Sequence, residues 1–217
     1  MHRSPLWPVW LVAVIVVLTL LKAQARDSFR LDQDLLNKVE YSYGKEAKQR
    51  LLDWQSLIND DTSTNDLEKL SKVNNFFNQQ EFISDLVLWK ENDYWATPVE
   101  FLTQNGGDCE DFSIAKYFTL KKLGIDEDKL NLTYAKAVKL NQAHMVVTYY
   151  AQSNAEPLIL DNLDQTIKPA SERSDLLPVF SFNGIGLWLA KERGRGKLVG
   201  ESSRYRHWQD LQGRMPE

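Results

Sequence analysis

The spacing of apolar residues changes once along this chain, and that change constrains the fold more than any other feature. Between residues 30 and 80 apolar residues recur at helical spacing, whereas from Leu132 onward they alternate with a period of two. The first helical stripe comprises Ala47, Leu51, Trp54 and Ile58. The predicted strands are 134–140, 144–150 and 158–161, with a further strand pair or strand and loop within 178–190. Helices followed by strands predict an α+β domain.

Capping motifs predict where the helices begin. Asn65 with Glu68 three residues later predicts the start of a long helix, and Thr97 with Glu100, with proline at the first helical position, predicts a short one. The apolar stripe of the long helix comprises Leu67, Leu70, Val73 and Phe77. These stripes predict a hydrophobic core and carry no functional signal.

Two glycines separate the short helix from the next one. Gly106 and Gly107 interrupt the helical pattern, and a helix is predicted from Cys109 to just before Gly124. The tail after Lys191 is basic and contains several glycines, which predicts a loosely held segment.

The first 25 residues have the pattern of a secretory signal peptide. A short positive start precedes an apolar run from Leu6 to Leu21, and the small-x-small site 23–25 follows. The apolar run is near the shorter end of what spans a bilayer, so an uncleaved membrane anchor is the alternative. Lys22 ends the run and favours cleavage, which predicts export to the periplasm with no stable membrane span in the mature protein.

Residues 26–217 are predicted to form a single domain. Loss of Arg3 and Lys22 changes the formal charge from −4 to −6, which argues against a nucleic-acid-binding surface. The only cysteine excludes an internal disulfide, and one cysteine with one internal histidine is too few for a structural zinc site.

The single cysteine is placed where a thiol nucleophile is expected. Cys109 precedes a helical pattern, and a helix N-terminus with a nearby imidazole lowers a thiol pKa. A hairpin symmetric about residues 152 and 153 would pair His144 directly with Asp161, where the carboxylate orients the imidazole. Cys109, His144 and Asp161 are therefore the predicted catalytic residues. The alternative is a buried structural cysteine.

Acidic residues flank the cysteine, and like charge disfavours a thiolate. Asp108 and Asp111 have the spacing of a helix capping pair, which is one interpretation. The other is a calcium site, since calcium takes six to eight oxygen ligands. Asp108, Glu110 and Asp111, joined by Asp93 or Glu91, would supply them. A bound cation would also offset the negative field at the thiol.

Four segments of the sequence resemble the bacterial transglutaminase-like cysteine proteinases. They are DYWATP at 93–98, NGGDCEDF at 105–112, AHMV at 143–146 and LDN at 160–162. The resemblance spans about residues 30–190. It implies a papain/transglutaminase-like core, with N-terminal helices and a C-terminal antiparallel sheet. It assigns the catalytic triad to Cys109, His144 and Asp161.

The same resemblance implies a calcium cofactor and a specific biological role. Calcium ligands map onto Asp108 and Glu110, and with less support onto Asp93 and Asp111. The implied substrate is the N-terminal region of a large surface adhesin, which is released from the outer membrane. The implied inhibitor is the periplasmic domain of an inner-membrane receptor for cyclic di-GMP.

Two other functions stay open at this stage. The same triad serves a transglutaminase or another acyl transferase, in which an amine instead of water resolves the thioester. A non-enzymatic binding or adaptor domain with a structural cysteine is the second alternative. For a protease, the backbone N–H of Cys109 is the first candidate to bind the oxyanion, with Trp95 or Gln104 as a second donor.

Overall fold

Helices occupy the first half of the structure and strands occupy most of the second. The computed structural model describes residues 28–189 and 196–215, so the predicted signal peptide lies outside the described residues. The elements given below all belong to one unit, Leu31–Glu217. Within the described residues, no helix is both long enough and apolar enough to span a membrane.

The helices begin where the capping motifs predict. The α-helices are α1 Gln33–Tyr43, α2 Lys45–Asn59, α3 Asp66–Phe77, α4 Asp85–Leu88, α5 Pro98–Gln104, α6 Cys109–Lys122 and α7 Arg206–Arg214. Asn65 caps α3 by accepting a hydrogen bond from the Glu68 N–H. Thr97 and Glu100 form the predicted capping box at α5. These starts were predictable because a cap uses only residues within one turn.

The strands form one antiparallel sheet and a small parallel pair. They are β1 Glu81–Phe82, β2 Gly106–Gly107, β3 Leu130–Ala137, β4 Gln142–Tyr149, β5 Leu158–Leu160, β6 Lys168–Pro169, β7 Leu176–Phe182, β8 Leu187–Leu189 and β9 Lys197–Gly200. Within the described residues the main sheet has the order β6-β5-β4-β3-β7-β8-β9, and β1 pairs with β2. The predicted α+β class, with N-terminal helices and a later antiparallel sheet, is confirmed.

The β4–β5 register corrects one prediction. The structure pairs Val147 with Leu160, so His144 and Asp161 are not directly opposed. The connection over 150–157 is not symmetric about residues 152 and 153, and β5 is displaced by two residues. An even displacement keeps every side chain on its predicted face. Asp161, just after β5, is therefore a diagonal neighbour of His144 on the same face.

Helix α6 packs against the centre of the sheet and is also fastened to the N-terminal helices. It contacts β4, with the Ser113 hydroxyl donating to the Met145 carbonyl at 2.9 Å. On its other side the Trp54 indole N–H donates to the Thr119 hydroxyl at 2.8 Å. The helix that begins at Cys109 is thus held between two layers.

Two expectations were wrong: that Leu67 lies in the core, and that the tail after Lys191 is loosely held. Leu67 is 59% exposed and does not continue the core stripe of α3. The tail is ordered in its described part, where it forms β9 and α7. Trp208 of α7 is buried and stacks on Phe118 with ring centroids 5.6 Å apart. Arg214 donates to the Trp95 carbonyl and so ties α7 to the loop before α5.

We expect the C-terminal helix to contribute substantially to stability. Trp208→Ala should lower the free energy of unfolding by about 3–5 kcal/mol, because it removes a fully buried aromatic side chain. Urea denaturation followed by circular dichroism measures this loss. The exposed neighbour Gln209 provides the control, since Gln209→Ala should change stability by less than about 0.5 kcal/mol. Equal midpoints for the two variants would contradict the packing described here.

Candidate active site

The thiol of Cys109 stands at the first position of α6, in a turn defined by hydrogen bonds. Asp108 is the N-cap and accepts from the Glu110 N–H at 3.3 Å, while the Asp111 carboxylate accepts from the Asp108 N–H at 3.3 Å. The predicted capping pair is therefore confirmed. A side chain at Gly107 would collide with the Asp111 carboxylate, which explains the glycine before the cap.

Ser113, one helical turn after Cys109, hydrogen-bonds the backbone of Met145. The Ser113 hydroxyl donates to the Met145 carbonyl at 2.9 Å, and the Met145 N–H lies close enough to the Cys109 sulfur to lower the pKa of the thiol. Since His144 immediately precedes Met145 on β4, the thiol-bearing turn is docked beside the strand position that carries the imidazole.

His144 and Asp161 form a buried hydrogen bond. His144 Nε2 lies 2.7 Å from Asp161 Oδ1, and both side chains are almost completely buried. Asp161 Oδ1 also accepts from the Leu163 N–H at 3.0 Å, and Oδ2 accepts from Arg173 at 2.7 Å. Because both oxygens already accept, the proton between the two residues belongs on Nε2. The other ring nitrogen, Nδ1, is then free to act as the base.

The surroundings of Asp161 keep it ionised. Burial raises the pKa of this carboxyl, but the His144 hydrogen bond and charge, the Leu163 N–H and the Arg173 guanidinium outweigh burial. The net effect is a pKa held well below its usual range. Asp161 can therefore hold the imidazole in one tautomer throughout the neutral pH range.

The surroundings of the Cys109 thiol, in contrast, disfavour its ionised form. Cys109 Sγ donates to Glu110 Oε2 at 2.6 Å. Burial raises the pKa of the thiol, and the negative charges of Glu110 and Asp108 raise it further, while the Met145 N–H lowers it. In this arrangement the thiol stays protonated at neutral pH.

A cluster of carboxylates lies next to Cys109, and it includes a residue that the sequence analysis did not predict. Asp85 at the start of α4 has a carboxylate oxygen within 4.8 Å of one from Asp108 and one from Asp111, and Asp108 forms a second such group with Cys109 and Glu110. Oδ1 of the buried Asp85 has no hydrogen-bond partner. No local motif marks Asp85 in the sequence; its N-terminal position in a four-residue helix is the only signal.

The cluster is electrostatically unfavourable without a cation. Burial and the charges of Asp108 and Asp93 raise the pKa of Asp85 to about 6. Burial and Glu110 raise the pKa of Asp108 to about 8. Burial and Asp108 raise the pKa of Asp111 well above its usual value. Oxygen-only donors with an unpartnered buried carboxylate oxygen fit a hard cation such as calcium.

Two of the predicted ligands, Asp111 and Asp93, already have partners within the protein. Both oxygens of Asp111 accept backbone hydrogen bonds, from the N–H groups of Ala96 at 2.7 Å and Asp108. Asp93 is in neither carboxylate group; its oxygens contact the Trp95 indole N–H at 3.0 Å and His207 at 3.4 Å. The Trp95 indole is thus engaged with Asp93 in this state.

Comparison with known proteins places the chain in a family. The family model described as "Bacterial transglutaminase-like cysteine proteinase BTLCP" matches residues 36–175. This chain belongs to the bacterial transglutaminase-like cysteine proteinases. The matched region contains Cys109, His144 and Asp161. Membership in this cysteine proteinase family confirms the resemblance noted in the sequence. A search among curated proteins found no match.

Solved structures of a similar protein have the same fold. Legionella pneumophila LapG is 43% identical, with a TM-score of 0.73 over 86% of this chain and 98% of that chain. The EGTA-treated form of LapG is 44% identical, with a TM-score of 0.74 over the same shares. The calcium-bound form is 44% identical, with a TM-score of 0.72 over 86% of this chain and all of the other. A similar protein has therefore been solved with calcium bound.

We expect calcium to stabilise this proteinase more strongly at pH 8 than at pH 5. Carboxyl pKa values that are raised on folding mean that the folded protein binds more protons than the unfolded chain. Stability without metal should therefore fall as pH rises from about 4, through about 6 for Asp85 and about 8 for Asp108. Calorimetry of metal-free and calcium-loaded protein at each pH measures the difference in Tm.

Asp108→Asn provides the control for that measurement. Removing this carboxylate should flatten the pH dependence of the metal-free protein and reduce the calcium-induced rise in Tm. A calcium effect that is the same at pH 5 and pH 8 would contradict the role given to the cluster.

Proposed function

We propose that this protein is a calcium-dependent cysteine endopeptidase that acts in the periplasm. Cys109 is the nucleophile, His144 the general base and acid, and Asp161 the residue that orients the imidazole. The observation that carries the proposal is the docking of the first turn of α6 on Met145 through Ser113, next to the strand residue His144 that is hydrogen-bonded to Asp161. Family membership over 36–175 supports the same assignment.

The proposed reaction follows from the donor and acceptor pattern of the site. Nδ1 of His144 removes the Cys109 proton, and the sulfur attacks the scissile carbonyl carbon to form a tetrahedral intermediate. The backbone N–H of Cys109, in the first turn of α6, stabilises the oxyanion. His144 then protonates the leaving amine, and water activated by the same imidazole hydrolyses the thioester.

Calcium dependence is proposed because the carboxylates oppose formation of the thiolate. Asp85, Asp108 and Glu110 are the residues we propose as ligands, with Asp111 holding the backbone of the site. A calcium ion bound there would supply positive charge that offsets the field raising the thiol pKa. The existence of a calcium-bound structure of Legionella pneumophila LapG, a similar protein, supports calcium as the cation proposed here.

The substrate and partner are proposed on family grounds. The substrate is the N-terminal region of a large surface adhesin, whose cleavage frees the adhesin from the outer membrane and promotes biofilm dispersal. The regulator is the periplasmic domain of an inner-membrane cyclic di-GMP receptor, which inhibits the protease. The predicted signal peptide over 1–25 supports export to the compartment where both would be met.

We expect Cys109→Ala to abolish cleavage of an adhesin N-terminal region and to leave the fold intact. The side chain is small, and the backbone contacts of the turn do not depend on the sulfur. The measurement is incubation of purified protein, calcium and the recombinant adhesin segment of the same organism, followed by electrophoresis and mass spectrometry of the fragments. Circular dichroism verifies the fold of the variant.

Three outcomes of this assay separate the alternatives. Cleavage that persists in Cys109→Ala would overturn the proposed nucleophile. Incorporation of dansylcadaverine into casein, without any cleavage, would instead show the acyl-transferase reaction. If neither reaction occurs and the Cys109 thiol is alkylated slowly, the binding-domain alternative is favoured.

We expect calcium activation to depend on Glu110 and not on Asp93. Glu110→Gln removes a carboxylate that contacts the thiol, so the calcium concentration needed for half-maximal cleavage should rise by at least about tenfold. Asp93→Asn is the matched control, because an amide oxygen still accepts from Trp95 and Asp93 lies outside both carboxylate groups. A larger effect of Asp93→Asn than of Glu110→Gln would overturn the proposed ligand set.

A further inference from the structure

The buried guanidinium of Arg173 contacts two carboxylates, one of which belongs to the candidate triad. Arg173 follows a short 3₁₀ helix, Ala170–Glu172, and its side chain is only 2% exposed. Nη2 donates to Asp161 Oδ2 at 2.7 Å and to Asp175 Oδ2 at 2.9 Å, and Nε donates to Asp175 Oδ1 at 3.0 Å. The buried Arg173 guanidinium therefore binds the Asp161 oxygen that does not contact His144.

Arginine has consequences for Asp161 that a neutral donor would not have. A guanidinium is always protonated and has no acceptor, so it forces Oδ2 of Asp161 to accept and keeps the carboxylate charged. With the Leu163 N–H on Oδ1, the carboxylate cannot rotate without breaking a charged hydrogen bond. The orientation of the Asp161 carboxylate plane is thus set by groups other than His144.

The remaining neighbours of Asp161 act on its backbone. The Lys116 ammonium donates to the Asp161 carbonyl at 3.0 Å, and the Asn78 amide donates to the same oxygen at 2.9 Å. These contacts hold the chain after β5. Of the charged groups around the pair, Arg173 is the one that the structure places on the carboxylate opposite His144.

We propose that Arg173 is a positioning residue for the reaction: it orients the ionised Asp161 carboxylate, which in turn fixes the His144 tautomer and ring plane. This inference rests on the proposed function, because it assigns a task within the same site. Asp175 anchors the guanidinium from outside and does not touch His144. Removing the arginine should leave Asp161 free to rotate or to take up a proton, and the imidazole then loses its orientation.

The test measures alkylation of Cys109 by iodoacetamide at one pH in calcium-loaded protein. The chain has a single cysteine, so mass spectrometry reports the rate at this thiol alone. Arg173→Met should slow alkylation by about 10²-fold, the usual effect of a small misplacement of a reacting group. Arg173→Lys keeps the charge but cannot hold both carboxylates, so it should restore part of the rate.

A spectroscopic measurement separates positioning from stability. In the wild type the Nε2 proton shared by His144 and Asp161 should give a strongly downfield NMR signal, which Arg173→Met should shift or remove. Asp175→Asn is the matched control, because it weakens the anchor of Arg173 without touching Asp161. Ile159→Ala destabilises the neighbouring β5 core without changing either contact, and it should leave the signal and the rate in place.

The outcomes distinguish this inference from the proposed function. A wild-type thiol that reacts no faster than an ordinary cysteine would overturn the proposed function itself. A reactive wild type in which Arg173→Met alkylates as fast as Asp175→Asn, with the downfield signal retained, would overturn only the role of Arg173. If Arg173→Met does not fold, Arg173→Lys decides: a rate equal to that of Asp175→Asn would overturn the inference.

Discussion

The site depends on one contact, the docking of the first turn of α6 on the middle of β4. The Ser113 hydroxyl, one turn after Cys109, donates to the Met145 carbonyl, and the Met145 N–H lies near the Cys109 sulfur. Buried backbone groups left without partners are destabilising, so the Ser113 hydrogen bond favours one position of the helix relative to the strand. Once it is made, His144 on the strand is held next to the turn that carries the thiol.

Charge is balanced differently on the two sides of this contact. On the strand side, Asp161 is buried with Arg173, so its negative charge is compensated within the protein. On the helix side, the Asp108 and Glu110 carboxylates lie beside the thiol, and burial raises the pKa values of Asp108 and of Asp85 next to it. The charge of Asp161 is thus compensated by the chain itself, while the carboxylates near Cys109 repel one another, and a bound cation would offset that repulsion.

Local hydrogen bonds explain which parts of the fold were predictable. The caps at Asn65, Thr97 and Asp108 each join residues within one turn, and the structure has all three. The β4–β5 register was wrong by two residues, because the connecting loop does not turn at its centre. The tail was predicted to be loose, since its sequence does not reveal that Trp208 packs on Phe118.

The sequence by itself determined the order of elements, the helix start that carries Cys109, and the candidate residues His144 and Asp161. The spacing of apolar residues and the capping motifs are properties of residues close together in the sequence, so they can be recognised from the sequence directly. Only the tertiary structure decided that Asp85 joins the carboxylate cluster and that Arg173 binds Asp161. Those contacts join separate elements, and their energies depend on burial and charge that exist only once the helices pack on the sheet.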